Sequence, residues 1–260
     1  GNMIVSHQGV FPEPVVRQDE TAFHLLLGHP IIGDKIDVEG ALDGIWNEGK
    51  ANEDFIRHLN GEFLALRLDH FSGDLSMVND RYNSFPFYYW YDETTEIFLG
   101  SPYFSELWTC VNNLCLGKLN QTCLFEFLWF QRILGEKTYD ENVRYMADSS
   151  ILTFDGKATD ERRYWKRCYE KNHDSLVQNA GKMRDLIQQS IRRKTSDERR
   201  FGHFLSGGMD SRSVLAGFQE NPPVCFTATV SANRECETAK ALAKAKNAKH
   251  VHLLLDPQHY

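Results

Sequence analysis

The stretch Phe204-Leu205-Ser206-Gly207-Gly208-Met209-Asp210-Ser211 stands between two segments of different character. Before it, Phe201 to Leu205 is a short apolar run that reads as a buried strand. After it, Ser211 to Phe218 reads as a helix. Two adjacent glycines at a strand-to-helix turn let the backbone curl tightly and approach an anion with no β-carbon in the way, so that successive N–H groups converge on it. The positive end of the following helix adds about 0.3 to 2 kcal/mol for a phosphate placed there. The hydroxyls of Ser206 and Ser211 are candidate phosphate donors. Asp210 would repel that phosphate unless a divalent cation bridged them, so its presence argues for Mg²⁺ held jointly by protein and nucleotide. The string GxxxxGK[ST] does not occur, so the phosphate loop is not of the Walker type.

Outward from the loop, strands and helices alternate. Val224 to Val230 reads as a strand, Glu235 to Asn247 as a helix and His250 to Leu255 as a strand, a βαβαβ rhythm that predicts a parallel sheet with right-handed crossovers. Upstream, Asp174 is the expected N-cap of a helix in which Leu176, Ala180, Met183, Ile187 and Ile191 recur at helical spacing, ending in the cations Arg192, Arg193 and Lys194. The regime changes between Trp165 and Asp174. Before it the chain is sheet-rich, with strands at Glu62 to Asp69, Leu75 to Val78, Phe85 to Tyr91 and Glu96 to Gly100 forming an antiparallel meander. Asn120 or Thr122 caps a helix ending near Gly135, and a strand at Ile151 to Phe154 follows, a segment that reads as a closing flap.

The chain has 260 residues, 42% apolar and 25% charged, enough for two domains with real cores. Its 29 Lys and Arg against 36 Asp and Glu leave a net charge of −7, which argues against nucleic acid as a general partner. No apolar run approaches the roughly 20 residues of a membrane span, and no secretion signal follows Met3, so the expectation is a soluble, cytoplasmic protein with no membrane partner. The six cysteines form no CxxC pair and read as buried free thiols. His250 and His252 read as ordinary packing, the arginine pairs 162–163, 192–193 and 199–200 as solvated positions, and the aromatic run Phe87 to Tyr91 as core. Asp80 and Arg81 are expected to form an internal ion pair.

The loop resembles the SGGxDS pyrophosphate loop of the N-type ATP pyrophosphatase superfamily, and the longer string Phe204 to Ser211 is most similar to that of the asparagine synthetase family. Leu59-Asn60-Gly61-Glu62-Phe63 and Asn79-Asp80-Arg81-Tyr82-Asn83-Ser84-Phe85-Pro86-Phe87-Tyr88-Tyr89 are similar to the family's LxGxFAFAL and RDRxGxxPLYY segments. Lys137-Thr138, Asp155-Gly156 and Tyr164-Trp165 fall in the family's order, and Cys225-Phe226-Thr227-Ala228 resembles its adenine-contacting strand, with Glu237-Thr238-Ala239 at the helix start beyond it. The resemblance implies a two-domain α+β and α/β protein. Residues 3–167 would form an Ntn-hydrolase-like antiparallel sandwich of glutaminase type, and residues 172–260 the first part of a parallel-sheet PP-loop domain, adenine-nucleotide α-hydrolase-like and truncated.

It further implies an ATP-dependent, AMP- and pyrophosphate-forming amide ligase that activates a carboxylate as its adenylate, with ATP and Mg²⁺ as cofactors. Leu205, Ser206, Gly207, Gly208, Asp210, Ser211 and Ala228 would bind ATP, Leu205 and Ala228 bordering the adenine, and Asp210 would hold the metal. No catalytic residue is assigned. The partners would be a small carboxylic acid and an amine, aspartate and ammonia as in asparagine biosynthesis or related compounds, with a homodimer as one compatible assembly.

Two departures qualify this resemblance. The family's amidotransferase half begins with a nucleophilic cysteine after the initiator methionine, where this chain has Ile4, and no cysteine precedes Cys110, so glutaminase activity is expected to be absent. The parallel sheet also stops after three strands, which suggests that a longer natural chain continues it. The alternatives are a lactam- or peptide-cyclising synthetase of the same family and a non-catalytic nucleotide-binding regulatory or scaffold protein. A tRNA-thiolating enzyme is disfavoured by the acidic balance and the absence of CxxC.

Overall fold

A computed structural model describes residues 13–197, 199–256 and 258. Ile4, on which the expectation of a silent glutaminase rests, lies outside the described residues. The chain divides into two compact units, Gly1–Gly33 with Asp37–Cys168, and Asp34–Ile36 with Tyr169–Tyr260. One carries an antiparallel sheet and the other a parallel one, so the fold is mixed α/β.

The first unit contains β1 (Val15–Gln18), β2 (Ala22–Ile32), α1 (Val38–Ile45), α2 (Glu53–His58), β3 (Asn60–Asp69), β4 (Leu75–Asn79), β5 (Tyr88–Asp92), β6 (Ile97–Ser101), α3 (Phe104–Asn113), α4 (Gln121–Phe130), β7 (Ser150–Phe154) and β8 (Thr159–Arg163). Its main sheet runs β1-β2-β3-β4-β7-β8 with every one of these pairs antiparallel. Successive side chains on a strand point to opposite faces, and here both faces are buried. Leu26, Phe63, Ala65, Val78 and Ile151 pack with Leu42 and Ile45 of α1 and Ile56 of α2. On the other face, Leu27, Leu64, Met77 and Leu152 meet Phe87 and Tyr89. Tyr89 belongs to the smaller β5–β6 sheet, and Trp90, its neighbour on the opposite side, packs on Leu107 and Val111 of α3. The layers are therefore helix, sheet, sheet, helix.

Gly61 is required by the close pairing of β2 and β3. It has a φ of +86°, and a β-carbon there would lie 2.2 Å from the His29 carbonyl oxygen.

The expected strands over residues 62–69, 75–78 and 151–154 are present. The aromatic strand starts at Tyr88 rather than Phe85, since Pro86 has no N–H to give a ladder. Phe87, Tyr89 and Trp90 are core, as expected. Asn120 is the cap of α4, its side chain accepting from the Cys123 N–H, and the helix stops at Gln131, which adopts a φ of 56°, four residues short of Gly135. The flap reading is wrong for Ile151–Phe154, which is hydrogen-bonded on both sides within the main sheet. So is the Asp80–Arg81 pair. Asp80 accepts instead from the backbone N–H groups of Phe63, Tyr82 and Ser84, while Arg81 donates to the Asn60 side chain and the Arg57 carbonyl. Arg162 pairs with Glu53 and Arg163 with Glu136 and Asp148, so that arginine pair belongs to surface ion pairs. Of the six thiols only Cys123 and Cys225 are buried; Cys110, Cys115 and Cys168 are exposed.

The second unit holds α5 (Leu176–Lys194), β9 (Gly202–Phe204), α6 (Met209–Gly217), β10 (Val224–Thr229), α7 (Arg234–Ala245) and β11 (His250–Leu254). Ser175, not Asp174, caps α5 in a reciprocal capping box with Gln178. The strands run β9-β10-β11, all parallel, as the alternating pattern predicts. Leu205 and Cys225 pack under Leu215 of α6 and Ala239 and Ala243 of α7 on one face of the sheet. Alanines let α7 sit close to the strands. Phe204 is 74% exposed and Leu254 69%. Among the described residues no helix is long and apolar enough to cross a membrane.

Candidate nucleotide site

The loop begins where the β9–β10 ladder ends. The Leu205 N–H still donates to the Phe226 carbonyl at 2.8 Å, but the Leu205 carbonyl is met by a side chain, the Thr227 hydroxyl, at 2.7 Å. A carbonyl can only accept, so the single hydroxyl proton of Thr227 is committed to it. His250 Nε2, 2.9 Å from the same hydroxyl oxygen, must then be the donor, which fixes the Nε2–H tautomer. His252 repeats the arrangement one pair along: it lies 2.7 Å from the Thr229 hydroxyl, which donates to the Ser231 carbonyl. Burial, followed by the charge of His252, holds the His250 pKa below its ordinary value.

Beyond Leu205 the chain closes on itself. The hydroxyls of Ser206 and Ser211 are 2.8 Å apart, the Ser206 N–H donates to the Ser211 hydroxyl oxygen, and the Gly208 N–H donates to that of Ser206 at 3.2 Å. His203 Nε2 donates to the Ser211 carbonyl at 2.8 Å, tying the strand before the loop to the helix after it. Arg212 Nη2 donates to the Gly207 carbonyl at 3.0 Å. The two serine hydroxyls expected to face a phosphate thus bond each other and the loop backbone. Their first role is to hold its shape.

The glycines have a different reason from tight curling. Neither has a positive φ, and Gly208, with φ −73° and ψ 163°, occupies a conformation open to any residue. A β-carbon on Gly207 would make only an ordinary contact with Thr238, and one on Gly208 would meet only the Ser206 hydroxyl. Folding alone does not demand glycine at either position. What a side chain would fill is the space beside the loop, which is the requirement of a ligand that approaches backbone closely.

Gly208 is also the N-cap of α6 and supplies no side-chain acceptor, whereas Asp37, Asn52, Asn120, Ser175 and Asn233 each cap their helices. First-turn N–H groups without a capping oxygen suit an anion. Asp210, in that first turn, is exposed and makes no hydrogen bond or ion pair among the described residues. No group of three or more His, Cys, Asp or Glu able to hold a metal occurs among the described residues. A magnesium ion on Asp210 would therefore take its remaining ligands from phosphate and water oxygens.

The structure brings Ser206, Gly207, Gly208, Asp210 and Ser211 into one turn. The Leu205 side chain is buried in the core, leaving only its backbone for a ligand. Ala228 is exposed on β10, next to Thr227. The supporting residues His203, Thr227, His250 and Arg212 escape a local reading. The available signal is the matching spacing of Thr227 and Thr229 with His250 and His252 on consecutive strands.

The asparagine synthase family model matches residues 182–260. Asparagine synthetase [glutamine-hydrolyzing] 3 of Bacillus subtilis (strain 168) is 27% identical over 166 residues, 63% of this chain and 26% of that protein. Asparagine synthetase [glutamine-hydrolyzing] 1 of the same organism is 26% identical over 152 residues, 55% of this chain and 23% of that protein. The chain thus spans about a quarter of the length of these relatives. Among solved structures, the allosteric regulatory enzyme of purine biosynthesis aligns at TM-score 0.32 and 9% identity over 93% of this chain and 62% of that one, too low to carry an argument.

Proposed function

We propose that this chain, whose residues 182–260 match the asparagine synthase family model and which is similar to two asparagine synthetases, is an ATP- and Mg²⁺-dependent amide ligase that activates a carboxylate as its adenylate and passes the acyl group to nitrogen. The observation that carries the reading is the Asp210 carboxylate, without a partner among the described residues, beside an uncapped, glycine-lined helix N-terminus within the stretch matched to the family. In the bound state the N–H groups of this turn would face the pyrophosphate and Asp210 would hold the metal, whose contribution is to neutralise charge on the phosphates as the acid attacks. The backbone at Leu205 and the small side chain of Ala228 would border the adenine.

The second unit is read as the start of a PP-loop domain, residues 172–260, and the first as a glutaminase-type Ntn-like domain, residues 3–167, without its nucleophile. The nitrogen would then come from free ammonia or from an amine within the substrate, as in lactam- or peptide-cyclising relatives.

The test is ATP–pyrophosphate exchange by the full-length protein across a panel of acids, aspartate included. Asp210→Ala should lower exchange by about a hundredfold or more, the usual loss when a preorganised electrostatic contact at a reacting group is removed. Undiminished exchange in that variant removes Asp210 from the site. Tight nucleotide binding with no exchange for any acid supports the regulatory reading instead.

A further inference from the structure

Arg212 stands in the first turn of α6, one residue after the Ser206–Ser211 motif, with its side chain exposed. A cation there works against the helix dipole, so the position has an electrostatic cost that Asp210 or a bound anion must offset. The core does not explain it, because among the described residues the guanidinium's contact is a single hydrogen bond to the Gly207 carbonyl, 3.0 Å away.

That contact has a geometric consequence. In a trans peptide the C=O and the following N–H point to opposite sides. With the Gly207 carbonyl turned out to Arg212, the Gly208 N–H is turned in, toward the paired hydroxyls of Ser206 and Ser211, where it donates to Ser206 at 3.2 Å. Without a β-carbon at either residue this peptide has more freedom to flip than any other in the loop.

We propose that Arg212 is the positioning residue of the pyrophosphate loop, locking peptide 207–208 so that the Gly208 N–H stays on the Ser206 hydroxyl and the loop keeps the shape in which its helix N-terminus would meet a polyphosphate. The assignment rests on the nucleotide-site reading above and deepens it by naming what keeps the loop preorganised. It concerns the polyphosphate moiety, not the nucleoside.

Calorimetric titration of the full-length protein with Mg-ATP, Mg-pyrophosphate and adenosine tests it, with Arg212→Met and Arg212→Lys as variants. Arg212→Met should weaken Mg-ATP and Mg-pyrophosphate about tenfold, the effect of one charge-assisted hydrogen bond. Adenosine affinity and the thermal midpoint should stay at the wild-type values, and Arg212→Lys, which keeps a cationic donor of similar reach, should restore most of the loss. Wild-type affinity in Arg212→Met overturns the assignment. An equal loss for adenosine and pyrophosphate also overturns it, since that marks general damage. Failure of the wild type to bind any of the three ligands overturns the nucleotide reading itself, and this assignment with it.

Discussion

Thr227→Val tests whether the loop is held from the neighbouring strand. The substitution keeps the branched shape and removes the hydroxyl, which donates to the Leu205 carbonyl at 2.7 Å and accepts from His250 at 2.9 Å. Thr227 is 4% exposed, so water does not readily replace the lost donor, and a buried carbonyl left unsatisfied costs about 1 to 3 kcal/mol. His250 is half-buried and can turn to solvent, so its loss adds little. The expected total is about 2 kcal/mol, roughly a thirtyfold increase in local opening. Amide hydrogen exchange at β10 and in the loop is the right measurement, because a chain of two units need not unfold in one step. Thr227→Ser should behave like the wild type. In a double-mutant cycle, His250→Phe should add less to Thr227→Val than it costs alone, because the shared oxygen is already gone. If Thr227→Val exchanges at the wild-type rate, or if the two substitutions are fully additive, the hydroxyl relay does not support the loop.

Gly61→Ala should destabilise the first unit by about 2 kcal/mol or more, since the new β-carbon combines a positive φ with a clash against the backbone of β2, and urea denaturation reads this directly. His24 is buried against Trp46, its pKa held below the ordinary 6.5 first by burial and then by the charge of Arg67. The folded state therefore binds that proton less readily than the unfolded chain. Stability is at its plateau above pH 6.5 and falls as pH drops through that value toward the folded pKa, and His24→Phe should flatten the slope of the unfolding midpoint in that window.

What the sequence makes legible follows from how local the causes are. The loop and the strands and helices around it can be read because each is specified by neighbouring residues: short apolar runs for buried parallel strands, glycine at the turn, and a recurrent apolar stripe in the helix before. Residues 13–58 carry no such signal although they hold β2, the longest strand among the described residues. Leu25, Leu26 and Leu27 are consecutive because both faces of that strand are covered, so alternation is lost, and Gly28 and Pro30 then break the run with residues that usually end strands. The next helix, α1, is only eight residues long with two glycines.

The same distinction runs through the site. The motif names the residues of the turn, yet their division of labour is decided across strands. A parallel sheet places Thr227, more than twenty positions on, against the Leu205 carbonyl, and His250, a further strand away, behind it. Once those contacts and Arg212 fix the backbone, Ser206 and Ser211 can satisfy each other, and the first-turn N–H groups, without a side-chain cap, and the Asp210 carboxylate remain open among the described residues. The geometry thereby separates residues that build the turn from residues left open to a ligand, a separation that the motif, in which serines, glycines and aspartate stand side by side, does not contain.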